Sequence, residues 1–213
     1  MTVELLNSPE PWLCAMAAAE CTCSPNPEQA LARALESGHE SVLEHCIFTF
    51  RVSGVSRTLL AQLTRHRIAS FSVQSQRYVK LTGGFPYIVP PSIEALGLES
   101  VKRYRAQMEM IDRWYNGWLV SLGKGGAEDA RFVLPGACAT SLQVTMNARE
   151  LKHFFSLRCC NRAQWEIRMM ADDMLKLCRR VAPELFKDAG PGCVRGACPE
   201  GRMSCGHPRR LPL

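Results

Sequence analysis

The chain has 213 residues, enough for one domain with a sizeable core or at most two small ones, and its 46% hydrophobic and 22% charged content excludes a disordered polymer. No apolar run approaches the ~20 residues that a bilayer crossing requires, and the first residues lack the basic-then-apolar pattern of a secretory signal; a cytoplasmic protein is expected. The formal charge of +6 is modest, so its placement matters more than its size.

In chain order, Asn26-Pro27-Glu28 reads as an N-cap with proline in the first turn of a helix whose apolar stripe is Ala30, Leu31, Ala34 and Leu35, stopped by Gly38. From His45 to Val52, Cys46, Phe48, Phe50 and Val52 alternate with Ile47, Thr49 and Arg51, a period of two that indicates a strand. Ser56 can cap a short helix carrying Leu59, Leu60 and Leu63, which delivers Arg65, His66 and Arg67 at its end. Ala69 to Tyr78 is polar and irregular and is expected as a loop, with a short strand over Phe85 to Val89. A long helix is expected from about Ser100 to Leu122, terminated by Gly123, with Val101, Tyr104, Met108, Ile111, Tyr115 and Trp118 as a core or subunit-interface stripe. Asn147-Ala148-Arg149-Glu150 has the form of a capping box opening a helix to Arg158, and a last helix carries Ile167, Met170, Met174, Leu177 and Val181 before Pro183. The class is α+β: a single domain over 1–190 with a small β-sheet flanked by long helices, and a Cys-rich tail over 191–213.

Eleven cysteines is an odd number, and with no export signal most are expected as reduced thiols. Cys14, Cys46, Cys138 and Cys178 have apolar neighbours and read as small core residues. In the tail, Cys193, Cys198, Cys205 and His207 supply three thiolates and an imidazole, but the spacing lacks the C-x2-C hook of structural zinc sites, and no metal is assigned.

The charge is concentrated. No carboxylate occurs from His45 to Ile93, while Arg51, Arg57, Arg65, Arg67, Arg77 and Lys80 all lie there. Within Arg65 to Tyr78, three arginines, a histidine, three serines and two glutamines supply many hydrogen-bond donors and no charged acceptor. That is the profile of an anion cradle, in which guanidinium forks take phosphate oxygens in pairs. Nucleic-acid backbone and a phosphorylated metabolite are both such anions, although the few aromatic residues here argue against a single-strand stacking platform. A second basic group comprises Arg149, Lys152, Arg158 and Arg162. Arg149 in a first helical turn opposes the helix dipole and requires an anion or a local carboxylate such as Glu150. Arg158 follows Phe154, Phe155 and Leu157, so its guanidinium is expected to be desolvated and specifically paired.

Several of these segments together carry a family resemblance. Arg65-His66-Arg67, with seven residues before Ser75 and the continuation Gln76-Arg77-Tyr78, resembles the signature of flavin-dependent thymidylate synthases. Gly38 to His45, Phe48-Thr49-Phe50, Arg131 to Pro135, Asn147-Ala148-Arg149, Leu157-Arg158 and Ala163-Gln164-Trp165-Glu166 resemble that family too, in order, from about residue 25 to 190.

The resemblance implies a flavoprotein methyltransferase of dTMP biosynthesis. It would be a homotetramer with active sites at subunit junctions, each binding FAD, dUMP and methylenetetrahydrofolate, with NADPH reducing the flavin. No nucleic-acid or membrane partner is implied, and no enzyme cysteine attacks the uracil ring. By position, the resemblance implies flavin contacts for Ser41, Arg65, His66, Arg67, Asn147, Arg149 and His153. It implies dUMP contacts for Gln62, Arg65 and Arg131, and for Gln74, Ser75, Gln76 and Arg77 in a loop from another subunit. Val73 stands where the family often has a carboxylate or amide, leaving its backbone to face the flavin. Arg158 matches the arginine held to favour the ionised uracil ring, so it is the catalytic candidate as well as a substrate contact. His39 is a candidate bridge between flavin and substrate, while His45 reads as a structural histidine.

Overall fold

The computed structural model describes residues 1–210. In chain order it contains strand β1 (Thr2–Asn7), helices α1 (Trp12–Thr22) and α2 (Pro27–Glu36), strand β2 (Ile47–Ser56), helix α3 (Arg57–Leu63) and strand β3 (Ala69–Val73). Then follow helices α4 (Pro91–Glu94), α5 (Leu98–Leu122) and α6 (Ala127–Ala130), strand β4 (Ala139–Asn147), and helices α7 (Ala148–Arg158), α8 (Trp165–Val181) and α9 (Pro183–Phe186), with short 3-10 turns between them. The expected α+β class holds: the strands form one small sheet in the order β1-β2-β4-β3. Central strands β2 and β4 run antiparallel, since Cys46 O accepts from Ala148 N while the Thr49 and Thr145 hydroxyls meet at 3.0 Å.

Local signals account for the helix ends. Asn26 caps α2 by accepting from Gln29 N at 3.1 Å, and Pro27 occupies the first turn where its missing N–H is not needed. Gly38 takes φ +73 just beyond that helix, a conformation that strains any residue with a Cβ. Ser56 Oγ accepts from Leu59 N at 3.0 Å and so opens α3 as expected. Asn147 accepts from Glu150 N at 2.8 Å and opens α7.

Two expectations are corrected. Ala69–Val73 is a strand rather than loop: Ala69, Phe71 and Val73 face inward and Ser70 and Ser72 face out, an alternation masked by the polarity of the serines. The expected strand at Phe85 to Val89 is reduced to one antiparallel bridge, Tyr87 with Cys138. Pro86, which lacks an N–H, and Pro90-Pro91 leave that segment few donors for a ladder.

The chain divides into two compact units, one of residues 1–2, 52–63 and 72–142, the other of residues 3–51, 64–71 and from 143 on. In the first, α5 buries Met108, Tyr115 and Leu119 against Phe85, Cys138, Ala127 and Ala130, while Trp118 on the expected stripe is 52% exposed. In the second, the core is an aromatic cluster: Phe48 meets Phe186 edge-on at 5.4 Å, Phe186 meets Phe155 at 6.0 Å, and Phe154 meets Phe155 at 5.7 Å. This cluster fixes the inner face of α7, and with it the side chains on the helix's other faces.

Candidate active site

Helix α7 is the organising element of the second unit. Its outer turns carry Arg149, Lys152, His153 and Arg158, while Leu151, Phe154 and Phe155 are buried in the core. The segment after α3 places Arg65 and Arg67 in solvent and buries His66 between them. The His66 ring packs edge-on against Phe154 at 4.9 Å. Its Nδ1 lies 3.0 Å from Glu150 Oε1, and Arg158 Nε–H donates to its Nε2 at 3.0 Å.

Burial holds His66 below its ordinary pKa; the hydrogen bond to Glu150 opposes this and the Arg158 charge reinforces it. Burial also lowers the Arg158 pKa, helped by the repulsion of Arg65. The expectation of a desolvated, specifically held guanidinium at Arg158 is therefore met. The partner of Arg149 is a correction: it pairs with Glu44 at 2.5 Å, not with Glu150, because the Glu150 carboxylate is turned inward to His66. Lys152 is likewise engaged, by Glu40 at 2.6 Å.

Two adjoining cavities meet along α7, sharing Ile68, Glu150, His153 and Ser156. One, of about 700 Å³, is walled by Asn147, Arg149, Lys152 and Glu44. The other, of about 670 Å³, is walled by Arg65, Arg67, Arg158 and Arg162, and by tail residues Pro191, Gly192, Cys193, Cys198 and Pro199. Among the described residues Arg65 and Arg67 have no carboxylate partner, whereas Arg162 pairs with Glu200 at 3.7 Å and donates to Met203 O. A pair of unneutralised guanidiniums on a cavity wall is a site for a polyanion.

The structure thus brings together Arg65, His66, Arg67, Asn147, Arg149, His153 and Arg158 around these cavities. Ser41 is not among them: with His39 it lines a different cavity of about 620 Å³ beside α1 and α2. His45, read as structural, is exposed.

The remaining expected residues belong to the first unit. Arg77 pairs with Glu128 at 2.9 Å, and its backbone N–H donates to Ser75 Oγ at 3.1 Å. Arg131 Nε donates to Glu128 O at 2.9 Å. Gln74 N donates to Ser141 O at 2.9 Å, Gln76 Nε2 donates to Cys138 Sγ at 3.4 Å, Val73 closes β3, and Gln62 is half-buried near the end of α3. Arg57 holds this loop by donating to Gln74 O at 3.0 Å, while its Nε is buried without a partner among the described residues. Burial and the nearby Arg131 charge lower its pKa.

The cysteines are free thiols, and those expected in the core are buried. Burial pushes the Cys138, Cys159 and Cys178 thiols up, so they remain protonated near neutral pH and are poor nucleophiles. The tail is tied to the body by Arg209, which donates to Asp172 at 2.8 Å and to Cys159 O at 2.7 Å. Among the described residues its thiols and His207 do not converge on a metal position; the group that does is His66, Glu150 and His153, with ligand atoms within 4.8 Å of one another. Both His66 nitrogens are already committed, one of them to a cation, which disfavours a metal there. No helix among the described residues is long and apolar enough to cross a membrane.

Sequence reasoning missed Glu150 as more than a cap residue, Glu128, Arg57, and the tail residues that wall the Arg158 cavity. Only Arg57 carried a signal, its place in the carboxylate-free basic stretch.

Fold and site together define an α+β protein with an arginine-walled cavity along α7. Residues 5–184 match the family model described as thymidylate synthase complementing protein, and the chain belongs to that family. It is 53% identical over 178 residues to the flavin-dependent thymidylate synthase of Geobacter sulfurreducens, covering 83% of this chain and 75% of that one. It is 50% identical over 182 residues to that of Clostridium tetani, covering 79% and 73%. Among solved structures, the Helicobacter pylori flavin-dependent thymidylate synthase complexed with FAD and dUMP shares the fold, with a TM-score of 0.71 at 24% identity over 89% of this chain and all of that one.

Proposed function

We propose that this protein is an FAD-dependent thymidylate synthase that methylates dUMP to dTMP, with methylenetetrahydrofolate as carbon donor and NADPH as reductant. The observation that carries the reading is the set of guanidiniums on one cavity: Arg65 and Arg67 without carboxylate partners, beside the desolvated Arg158. Family membership supplies the reaction.

The donor set fits a dinucleotide flavin. Arg65 and Arg67 offer charge to its phosphates, and Asn147, whose Oδ1 is used as the α7 cap, keeps its Nδ2 hydrogens to donate. His153 lines both cavities and can bridge them. FAD held by these residues would, once reduced by NADPH, supply hydride for the methyl transfer.

Arg158 acts on the pyrimidine. A fixed, partly desolvated cation stabilises the ring in its ionised form and so raises electron density at C5, the carbon that attacks the methylene donor. This route requires no thiol nucleophile, in keeping with protonated, buried cysteines. Arg77, Arg131 and the 73–77 loop bind the dUMP phosphate. We propose that this loop reaches into the site of a neighbouring subunit, in a homotetramer with sites at subunit junctions formed by residues 1–190, with 191–213 as the tail; the family resemblance supports this reading. A cytoplasmic location suits its many free thiols.

The test is reconstitution with FAD, followed by anaerobic turnover with dUMP, methylenetetrahydrofolate and NADPH. Yellow, flavin-retaining protein that forms dTMP is expected. Colourless protein that forms none after reconstitution refutes the reading.

A further inference from the structure

The chain of contacts Glu150–His66–Arg158 admits one assignment of protons. A guanidinium only donates and does not lose its charge in proteins. Arg158 Nε–H points at His66 Nε2 from 3.0 Å, so that nitrogen must carry the lone pair. The proton of a neutral imidazole is then on Nδ1, 3.0 Å from Glu150 Oε1, which as a carboxylate only accepts. Any other tautomer sets two hydrogens against each other at Nε2 and two lone pairs at Nδ1. Water does not relieve such a clash readily, because His66 is 5% and Glu150 7% exposed.

We infer that Glu150 is a positioning residue for the methyl-transfer step, acting through His66 to fix the Nε edge of Arg158 and hence the plane of its guanidinium. The inference rests on the synthase reading for the role of Arg158, but the proton assignment stands on geometry alone. The interposed ring has a physical purpose. A carboxylate placed directly on Arg158 would orient it and also cancel the charge that an ionised uracil needs. A neutral imidazole orients the guanidinium while bringing no negative charge of its own, and it holds the Glu150 carboxylate one ring further away. Glu150 lies in the first turn of α7, where the helix dipole favours negative charge.

The test uses the full chain labelled with 15N-histidine, of which it has five. The wild-type His66 signal should report a neutral ring protonated at Nδ1. Glu150→Ala should lose that signature, and Glu150→Gln should keep it, since an amide oxygen accepts the same proton. In single-turnover assays of FAD-loaded protein, Glu150→Ala should form dTMP about 100-fold more slowly, the scale of misplacing a reacting group by about 1 Å. Its dUMP affinity should stay near wild type, and Glu150→Gln should recover most of the rate.

A wild-type His66 protonated at Nε2, or doubly protonated at neutral pH, overturns the inference. So does a folded Glu150→Ala with wild-type turnover, or a Glu150→Gln as slow as Glu150→Ala. Should Glu150→Ala not fold, the wild-type spectrum and the Gln variant still decide. A wild type that makes no dTMP refutes the synthase reading instead, and leaves the proton assignment to the spectra.

Discussion

Arg158 on α7 and Arg77 of the 73–77 loop begin from the same chemistry and are treated in opposite ways. Arg158 is partly desolvated, and its Nε–H is held by the neutral His66 imidazole. Arg77 is half-exposed and lies against the Glu128 carboxylate at 2.9 Å, which raises its pKa. Arg131 donates to the backbone of the same residue. An oriented, partly desolvated cation suits stabilisation of charge that develops during reaction. A solvated, compensated one suits the capture and release of a phosphate, because exposed ion pairs are weak and exchange readily.

The largest expected effect breaks the comparison at its stronger end. Arg158→Ala should lower the rate of dTMP formation by at least about 100-fold, as removal of a charge-stabilising donor does elsewhere. Folding should be unaffected, since the guanidinium faces a cavity rather than the Phe154–Phe155 core. Single-turnover rates with matched circular dichroism spectra check this, and normal turnover removes Arg158 from the mechanism.

The same contrast sets what was legible beforehand. Asn26, Ser56 and Asn147 announced their helices because a cap is a local event, settled within three residues of sequence. Strand β4 had its period of two in Leu142, Val144 and Met146 but went unread, and β3 was hidden by serines whose outward direction only the pairing reveals. At the site, motif order pointed to residues that the fold gathers around the α7 cavities, but not to their partners. Glu150 bonds to His66 across 84 positions and Arg149 pairs with Glu44 across 105, and no local rule fixes a contact of that span. The tail wall at Pro191 to Pro199 lies beyond the residues matched by the family model, so neither motif nor periodicity pointed to it.

A second prediction concerns acid. His66 sits below its ordinary pKa through burial, with Arg158 also lowering it, Glu150 opposing, and His153 adding a further lowering influence. As pH falls through about 6.5, the unfolded chain takes up a proton that the folded His66 does not. The unfolded state then binds more protons, so this contribution is fully present above about pH 6.5 and is lost progressively below it. Tm measured between about pH 7.5 and 5.5 should fall on acidification, and less steeply in His66→Gln. Equal slopes would place the proton uptake elsewhere.

Caps offer a smaller, sharper comparison. Asn26→Ala and Asn147→Ala each remove one side-chain acceptor from a helix N-terminus and should each cost about 1 kcal/mol of stability. Only Asn147 also lines the α7 cavity. Equal losses in Tm with weakened FAD retention in Asn147→Ala alone would assign its amide to the flavin. Equal retention in both would restrict Asn147 to capping.

The smallest effect tests the weaker end. Because Glu128 already occupies Arg77, a phosphate gains from that guanidinium only by displacing a carboxylate. Arg77→Ala should therefore weaken dUMP binding only a few-fold, and the loss should shrink as salt rises, since exposed charges are screened over about 10 Å at 0.1 M ionic strength. Glu128→Gln should act in the opposite sense: it removes the competing charge, leaves the Arg131 bond to the Glu128 backbone carbonyl in place, and should tighten dUMP binding. Titration calorimetry at low and high salt separates the outcomes. If Glu128→Gln weakens binding instead, the carboxylate orients Arg77 rather than competing for it, and the two arginine regions would share one design.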